Sequence, residues 1–281
     1  MAGSGTVWRL SGFADEISPD LEVQCAALDD LGMRHIEVRS IGYVNVLDLD
    51  DGQVAGARRA FDAHQISTSS IGSPIGKTPI EEDFEPQLTR FRRALQVAEA
   101  LQAPYIRVFS FFMPPDSDPL THRDEVLRRV AALAGAAAGH DVVLLHENDK
   151  GTYGDIPERC LDVVESVASD RLRLVWDPAN FVQCAVRPFS DAYPMLRPHV
   201  QYVHVKDALM ATGEVVPAGQ GDGEFPETLR ALEADGYDGF FSLEPHLASG
   251  ASTGGFSGPE LFLLATRAFT GLLDAQGIGY S

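Results

Sequence analysis

An α/β fold, a single (β/α)8 barrel, is predicted by three features of the 281-residue chain. Eight short runs with the length and β-branched or aromatic content of buried parallel strands recur at intervals of about 27 to 39 residues, with helical stretches between them. The length suits one barrel, typically about 250 residues, and no composition shift or linker marks a second domain, so residues 1–281 read as one unit. A doubly wound open sheet shares this alternation but carries a Gly-rich dinucleotide turn after its first strand, where Phe13-Ala14-Asp15-Glu16 stands here.

The first strand runs from Val7 to Phe13, after six residues expected to form a polar, flexible leader too short for a signal peptide. Ser18 is expected to cap the first helix with Pro19 at its first position. Leu21, Cys25, Leu28 and Leu31 give that helix a buried stripe, and Gly32 stops it. Strand two, His35 to Arg39, leads through Asn45 to a helix from about Asp50 to His64. Strand three, Ile66 to Ile71, opens into the Gly/Pro loop 72–77, and the next helix carries Phe91, Leu95, Ala98 and Leu101. Strand four is Tyr105 to Phe109, and the aromatic loop Phe111 to Pro115 is expected to wall the mouth of the barrel. A helix from about Thr121 to Ala138 precedes strands five to eight: Val142–Glu147, Leu172–Asp177, Tyr202–Asp207 and Phe240–Glu244. Helices near Ile156–Ala168, Ala192–Leu196 and Pro226–Ala234 separate these strands, and one from Pro259 to Ala275 closes the ring. The glycine-rich loop Gly219–Gly223 is expected at the same mouth.

Charge narrows the function. A net charge of -19 argues against nucleic acid, whose phosphates need a basic surface. It gives no long-range attraction for a highly anionic ligand, although a local basic pocket can still hold one phosphate. The three cysteines show no CxxC spacing and fit packing roles in a reducing compartment. No run approaches the roughly 20 apolar residues of a membrane span. The expectation is a soluble cytoplasmic protein with neither nucleic-acid nor membrane partners; a homo-oligomer is compatible with the sequence.

Strands five to eight each end in a metal-ligating residue type: Glu147, Asp177, His204 and Glu244. Side chains at the C-terminal ends of barrel strands converge on one mouth, where the chemistry of such folds sits. Singly, each has an ordinary explanation. Asp-Pro starts turns, acids at strand ends cap helices, and a histidine between valines is usually a hydrogen-bonded core residue. Four in succession are hard to attribute to turn chemistry. Three carboxylates and an imidazole suit one divalent ion, Mn²⁺ first, with Mg²⁺, Co²⁺ or Zn²⁺ as alternatives. Around this set, Lys206 is a candidate for a substrate hydroxyl or carbonyl, with a surface pair to Asp207 as its rival. His246, Glu37 and Glu16 are further candidates for pocket contacts, and His146 and Asn148 for orienting ligands. Phe109 is a candidate for stacking on a sugar face, with Trp8, Phe13, Phe111 and Trp176, although packing explains most such aromatics.

The motifs His146-Glu147-Asn148, Asp177-Pro178-Ala179-Asn180-Phe181, Val203-His204-Val205-Lys206-Asp207 and Ser242-Leu243-Glu244-Pro245-His246 resemble those of xylose-isomerase-like barrels. These are the sugar phosphate isomerases and epimerases, with ketose 3-epimerases, inosose dehydratase and hydroxypyruvate isomerase among them. The resemblance extends over nearly the whole chain through Phe13 to Ile17, Ile36 to Arg39, Gly219 to Gly223 and Gly236 to Gly239. It implies that Glu147, Asp177, His204 and Glu244 bind the metal and that the two glutamates double as acid and base. Ketose 3-epimerases place a histidine where this chain has Asn180, and an arginine in the loop after strand seven where it has Lys206 to Met210. The zinc endonuclease relatives add histidines on strands three and four that are absent here.

The reaction so implied is metal-assisted loss of a proton beside a carbonyl of a small carbohydrate-like substrate, through an enediolate. Returning the proton gives epimerisation or isomerisation. Expelling a β-substituent gives elimination, the dehydratase alternative. A non-catalytic sugar-binding or partner subunit is the third reading, and the two intact glutamates count against it.

Overall fold

The computed structural model describes residues 7–248 and 255–281; the expected leader lies outside them. Eight parallel strands follow one another around a barrel: β1 Arg9–Gly12, β2 His35–Val38, β3 Ser67–Ile71, β4 Tyr105–Val108, β5 Val143–Glu147, β6 Leu172–Trp176, β7 Val200–Val205 and β8 Phe240–Leu243. Each is hydrogen-bonded to its neighbour in sequence from β2 to β8, and β8 pairs with β1. β1 and β2 lie side by side without a shared ladder, so the ring is nearly closed.

Helices α1 Leu21–Asp30, α2 Asp51–Ala63, α3 Glu85–Leu101, α4 Arg123–Ala136, α5 Pro157–Val167, α6 Pro178–Gln183, α7 Tyr193–Leu196, α8 Phe225–Ala234 and α9 Gly258–Gln276 occupy the connections. The predicted elements are present with ends shifted by a few residues. Two details differ. The cap of α1 is Asp20, whose carboxylate accepts from the N–H groups of Glu22 and Val23, while Ser18 accepts from Asp20 itself. A carboxylate at this position also meets the positive end of the helix dipole. The second is α6, an extra helical segment in the stretch read as an Asp-Pro turn. Pro178 occupies its first turn, and Asp177 is its cap.

Two separate apolar layers follow from the period-two alternation of strands. The larger packs the outer faces of the strands against the helices. The smaller fills the barrel with Leu145, Val175, Tyr202 and Phe240, with Tyr105 against them. Tyr202 and Phe240 lie ring to ring at 5.6 Å, and Tyr105 meets Tyr202 edge-on at 5.9 Å. Two residues further along four of these strands the same inward face carries Arg107, Glu147, Asp177 and His204, and on β8 Glu244 follows four residues after Phe240. A hydrophobic floor therefore supports a charged layer at the C-terminal mouth. Register shifts at Leu174/Val175 and at Ile36/Glu37 adjust the phase of this face. The first pairs Val175 with Tyr202 rather than Gln201, which keeps Tyr202 and His204 in phase with Asp177.

Candidate metal centre

Each member of the charged layer is held by local structure. Asp177 caps α6 through Oδ1, which accepts the Asn180 N–H at 3.0 Å, and so leaves Oδ2 to face the cluster. Asn148, just past β5, ties the ends of β5 and β6 together: its amide donates to the Asp177 carbonyl at 2.8 Å and accepts the Asp177 N–H at 3.0 Å. Asn180 donates to Glu147 Oε1 at 3.1 Å and to the Asn148 carbonyl at 2.9 Å. The His204 ring is oriented by Glu37, 3.3 Å from Nε2, and by the Phe13 ring edge-on at 5.3 Å. Its Nδ1 then faces Glu147 Oε1 at 3.4 Å, Glu244 Oε2 at 3.6 Å and Asp177 Oδ2 at 4.0 Å.

Glu147, Asp177, His204 and Glu244 are buried, and each offers one ligand atom lying within 4.8 Å of the others. Ligands on opposite sides of an ion with bonds of about 2.1 Å lie about 4.2 Å apart, so a contraction of roughly half an ångström closes the set. His204 Nδ1 is buried without a hydrogen bond, and Asp177 Oδ2 and Glu147 Oε2 are met only by the cations Lys206 and Arg107. An unpartnered ring nitrogen facing three carboxylates is a state an ion would relieve, and three carboxylates with one imidazole fit a hard divalent cation. The carboxylate behind the histidine is the usual means of fixing a ligating imidazole.

Protons and side-chain cations balance the cluster's charge. Lys206 Nζ lies 2.7 Å from Asp177 Oδ2 and 3.2 Å from Glu244 Oε2. Arg107 Nη1 lies 3.2 Å from Glu147 Oε2 and 3.3 Å from Glu244 Oε1. Burial disfavours charge on His204, but the Glu147 and Glu37 carboxylates outweigh it and raise the imidazole to about 10. Burial lifts Asp177 to about 6 against the pull of Lys206. Glu147 moves the other way: burial would raise it, yet Arg107 and His204 hold it at about 2. Burial opposes the charge of Glu244 too, and Lys206, His246 and His204 keep it well below the ordinary carboxylate range.

A metal ligand must be deprotonated, so an ion bound at this cluster at neutral pH would displace the His204 proton. Apparent Mn²⁺ affinity should therefore climb about tenfold per pH unit above pH ~6, and more steeply below it, where Asp177 also releases a proton. Calorimetric titrations across this range measure the slope. Affinity independent of pH would show that no proton is displaced.

A cavity of about 940 Å³ opens onto the cluster. Glu147, Glu244, Asn180, Lys206 and His246 line it. Lys206 pairs inward, and its expected rival pair with Asp207 is not formed. Asp207 instead accepts from the N–H groups of Gly219, Gly221 and Gly223, where a Cβ at either of the last two would lie 2.5 or 2.6 Å from its Oδ1. The glycine loop thus wraps its own carboxylate and does not line the cavity. Glu37 is fully buried behind His204 and is not exposed to the cavity, so it orients the imidazole rather than meeting ligand. Glu16 is likewise buried, accepting from the His246 N–H and Ser257.

Phe109 is also fully buried, beneath Lys77 and Arg107 at 4.4 and 5.0 Å, and the loop from Phe111 to Pro115 follows its strand end without reaching the cavity. The aromatic rings that do line the cavity are Tyr43 and Phe256, which sequence reasoning passed over. It also passed over Arg39, Arg107, Asp15 and the Lys77–Asp149 pair, whose ammonium and carboxylate lie 3.0 Å apart. Arg107 had a legible signal: it stands midway along an apolar strand, on the same face as Tyr105, and a charge there requires a partner inside the barrel.

A family model described as xylose isomerase-like TIM barrel matches residues 25–260. The chain belongs to this family. No curated protein sequence matches it significantly. Among solved structures it is similar to a D-tagatose 3-epimerase-like protein, with a TM-score of 0.77 at 16% identity over 96% of this chain and 98% of that one. The IOLI protein with a bound zinc atom superposes with a TM-score of 0.74 at 17% identity, over 95% and 97% of the two chains. The probable 3-DHS dehydratase AsbF of Bacillus anthracis gives 0.73 at 17% identity, over 94% and 98%. At these identities the likeness is one of fold. No helix among the described residues is long and apolar enough to cross a membrane.

Proposed function

We propose that this protein is a divalent-metal-dependent isomerase or epimerase that acts on a sugar or keto-sugar by removing a proton beside a carbonyl. The observation that carries this reading is the double placement of Glu147 and Glu244: both belong to the four-residue cluster, and both line the cavity. Binding a sugar requires no such pair of carboxylates. Glu147, Asp177, His204 and Glu244 would hold the ion, with Mn²⁺ the first choice for a mainly oxygen donor set. When bound, the ion would supply Lewis-acid stabilisation of the negative charge that develops on the substrate oxygens.

The chain's own groups do the rest. One glutamate takes the proton from carbon and the other serves the opposite face. Asn180 fixes Glu147 through its amide, Lys206 offers an ammonium to the developing oxyanion, and the apolar floor below keeps bulk water out. A lyase is the second reading. It is favoured by His246, whose Nε2 lies 3.4 Å from Glu244 Oε1 at the cavity wall, where it could protonate a departing hydroxyl.

Incubation of Mn²⁺-loaded protein with ketoses, keto-inositols and 3-keto-glycosides in D₂O separates these readings. Deuterium at the carbon beside the carbonyl is the expected result. An ultraviolet-absorbing enone would point to the lyase, and silence across the panel would leave a protein that binds without turnover.

A further inference from the structure

Burial grades the cavity from one end to the other. Glu147, Glu244, Arg107, Asn180 and Lys206 line it as buried residues, while Tyr43 is 88% exposed and Phe256 39% exposed. Pro19, Pro74, Val215 and Ala248, all half-buried, belong to the same lining. The charged inner end therefore opens through an outer collar of two aromatic rings and four apolar side chains.

The collar is built into the fold. Gly42 and Tyr43 form the tip of a hairpin that pairs Ser40–Ile41 with Val44–Asn45. Their φ angles of 61° and 64° are those of a type I′ turn, which favours Asn and Gly. A tyrosine there is strained, and its ring is exposed rather than packed in the core; such strain clusters at functional sites. The Gly42 N–H donates to the Pro19 carbonyl at 2.8 Å, which holds the hairpin against the loop after β1. Phe256 is fixed as firmly. Its carbonyl accepts the Ala248 N–H at 2.9 Å, and Ser257 beside it donates to the buried Glu16 through N–H and hydroxyl, at 3.1 and 2.8 Å.

Nothing at the collar calls for a charged occupant. Each cation of the lining already faces a carboxylate of the chain: Arg39 with Asp15 at 2.8 Å, Lys77 with Asp149 at 3.0 Å, Arg107 with Glu147 at 3.2 Å and Lys206 with Asp177 at 2.7 Å. An anionic group would have to displace one of these partners. Ser40 and Gln183, polar residues of the lining, donate to Asp15 and to the Gly213 carbonyl. At about 940 Å³ the cavity lies near the top of the ~300–1,000 Å³ usual for drug-sized ligands. A single sugar at the carboxylate cluster leaves the collar unfilled.

We propose that the substrate is an uncharged glycoside whose sugar lies at the buried, charged end and whose aromatic aglycone lies against Tyr43 and Phe256. A flat ring has no hydroxyls to satisfy and gains from offset or edge-on contact with other rings beyond the area it buries. A second sugar would bring hydroxyls to a collar that is mostly apolar. This inference rests on the sugar reading of the cluster and refines it.

The test is calorimetric titration of Mn²⁺-loaded protein with methyl and 2-naphthyl 3-keto-glucosides, a 3-keto-disaccharide and free 2-naphthol, with deuterium uptake followed on the three keto-sugars. The naphthyl glucoside should bind about 10- to 100-fold more tightly than the methyl one, the effect of taking a large apolar ring out of water. Tyr43→Ser combined with Phe256→Ser, both changes at exposed loop positions, should bring its affinity down to that of the methyl compound. Tyr43→Trp should preserve the gain. Equal affinity for the two glucosides, or a gain that survives the double variant, would overturn the aglycone, while deuterium uptake from the methyl compound would leave the sugar reading standing. Tighter binding of the disaccharide than of the naphthyl glucoside would replace the aglycone with a second sugar. Binding of 2-naphthol that needs Tyr43 and Phe256, with no gain from the attached sugar, would support the aromatic site and overturn the sugar reading. Binding of none of the four would overturn both.

Discussion

Glu147→Gln and Glu244→Gln should each lower solvent-deuterium exchange by about 100- to 10,000-fold, the usual contribution of a positioned acid or base. The substitution keeps the size of the side chain and one oxygen, so the Asn180 contact to Glu147 and the packing at the mouth can persist. What it removes is the proton acceptor. Glu147 is held at about 2, with burial overcome by Arg107 and His204, so it is ionised throughout the working range. Glu244, with Lys206, His246 and His204 around it, is ionised as well. Two carboxylates of low basicity can deprotonate carbon only where the resulting charge is strongly stabilised, which is the part the proposal gives to the ion and to Lys206. Either variant also takes a charge from the proposed ion site, so metal content has to be assayed in the same preparations. A fully metallated Glu244→Gln protein that exchanged at the parent rate would take Glu244 out of the acid–base role and leave His246 as the next candidate.

Asp177→Asn should abolish stoichiometric metal binding while leaving the fold in place. Asp177 has two jobs on two oxygens: Oδ1 caps α6, and Oδ2 faces the cluster. Asparagine caps a helix about as well as aspartate, so α6 and the tie between β5 and β6 through Asn148 should survive. The loss of one of three carboxylates from a divalent site should cost more than the 10- to 100-fold typical of changes behind the ligands. Thermal unfolding with and without added Mn²⁺ measures the effect, because an ion that binds only the folded chain raises its stability by mass action. The parent should show a metal-dependent rise in Tm, and the variant none. A variant that kept the full rise would mean that Asp177 is a structural cap and no ligand.

The barrel was legible because eight apolar runs and their spacing leave little else for the chain to do. The four clustered residues were legible because each ends its strand, where the fold itself fixes the direction of the side chain. Asp177 shows that a helix cap and a place in the cluster can belong to one residue, since Oδ1 caps α6 and Oδ2 faces the other three side chains. The misplacements have a common cause. Glu37 and Phe109 sit on inward or near-mouth positions that period-two alternation identifies, but alternation says nothing of depth, and both lie below or behind the cavity wall. Asp207 follows Lys206 in sequence, yet Lys206 turns inward to Asp177 and Glu244 while Asp207 accepts from the glycine loop, so the pair read from adjacency is not formed. Arg39 and Arg107 show their place only through the partners a buried cation demands, and those partners, Asp15, Glu147 and Glu244, lie far from them in sequence. Tyr43 and Phe256 belong to loops whose paths no periodicity specifies.

The most direct measurement is anomalous scattering from crystals grown with Mn²⁺ and recorded at the manganese edge. One peak per chain is expected, within bonding distance of Glu147, Asp177, His204 Nδ1 and Glu244, with the Lys206 ammonium moved off Asp177. A peak bound elsewhere on the chain, or a cluster that stays free of manganese with Lys206 still bridging Asp177 and Glu244, would contradict the account.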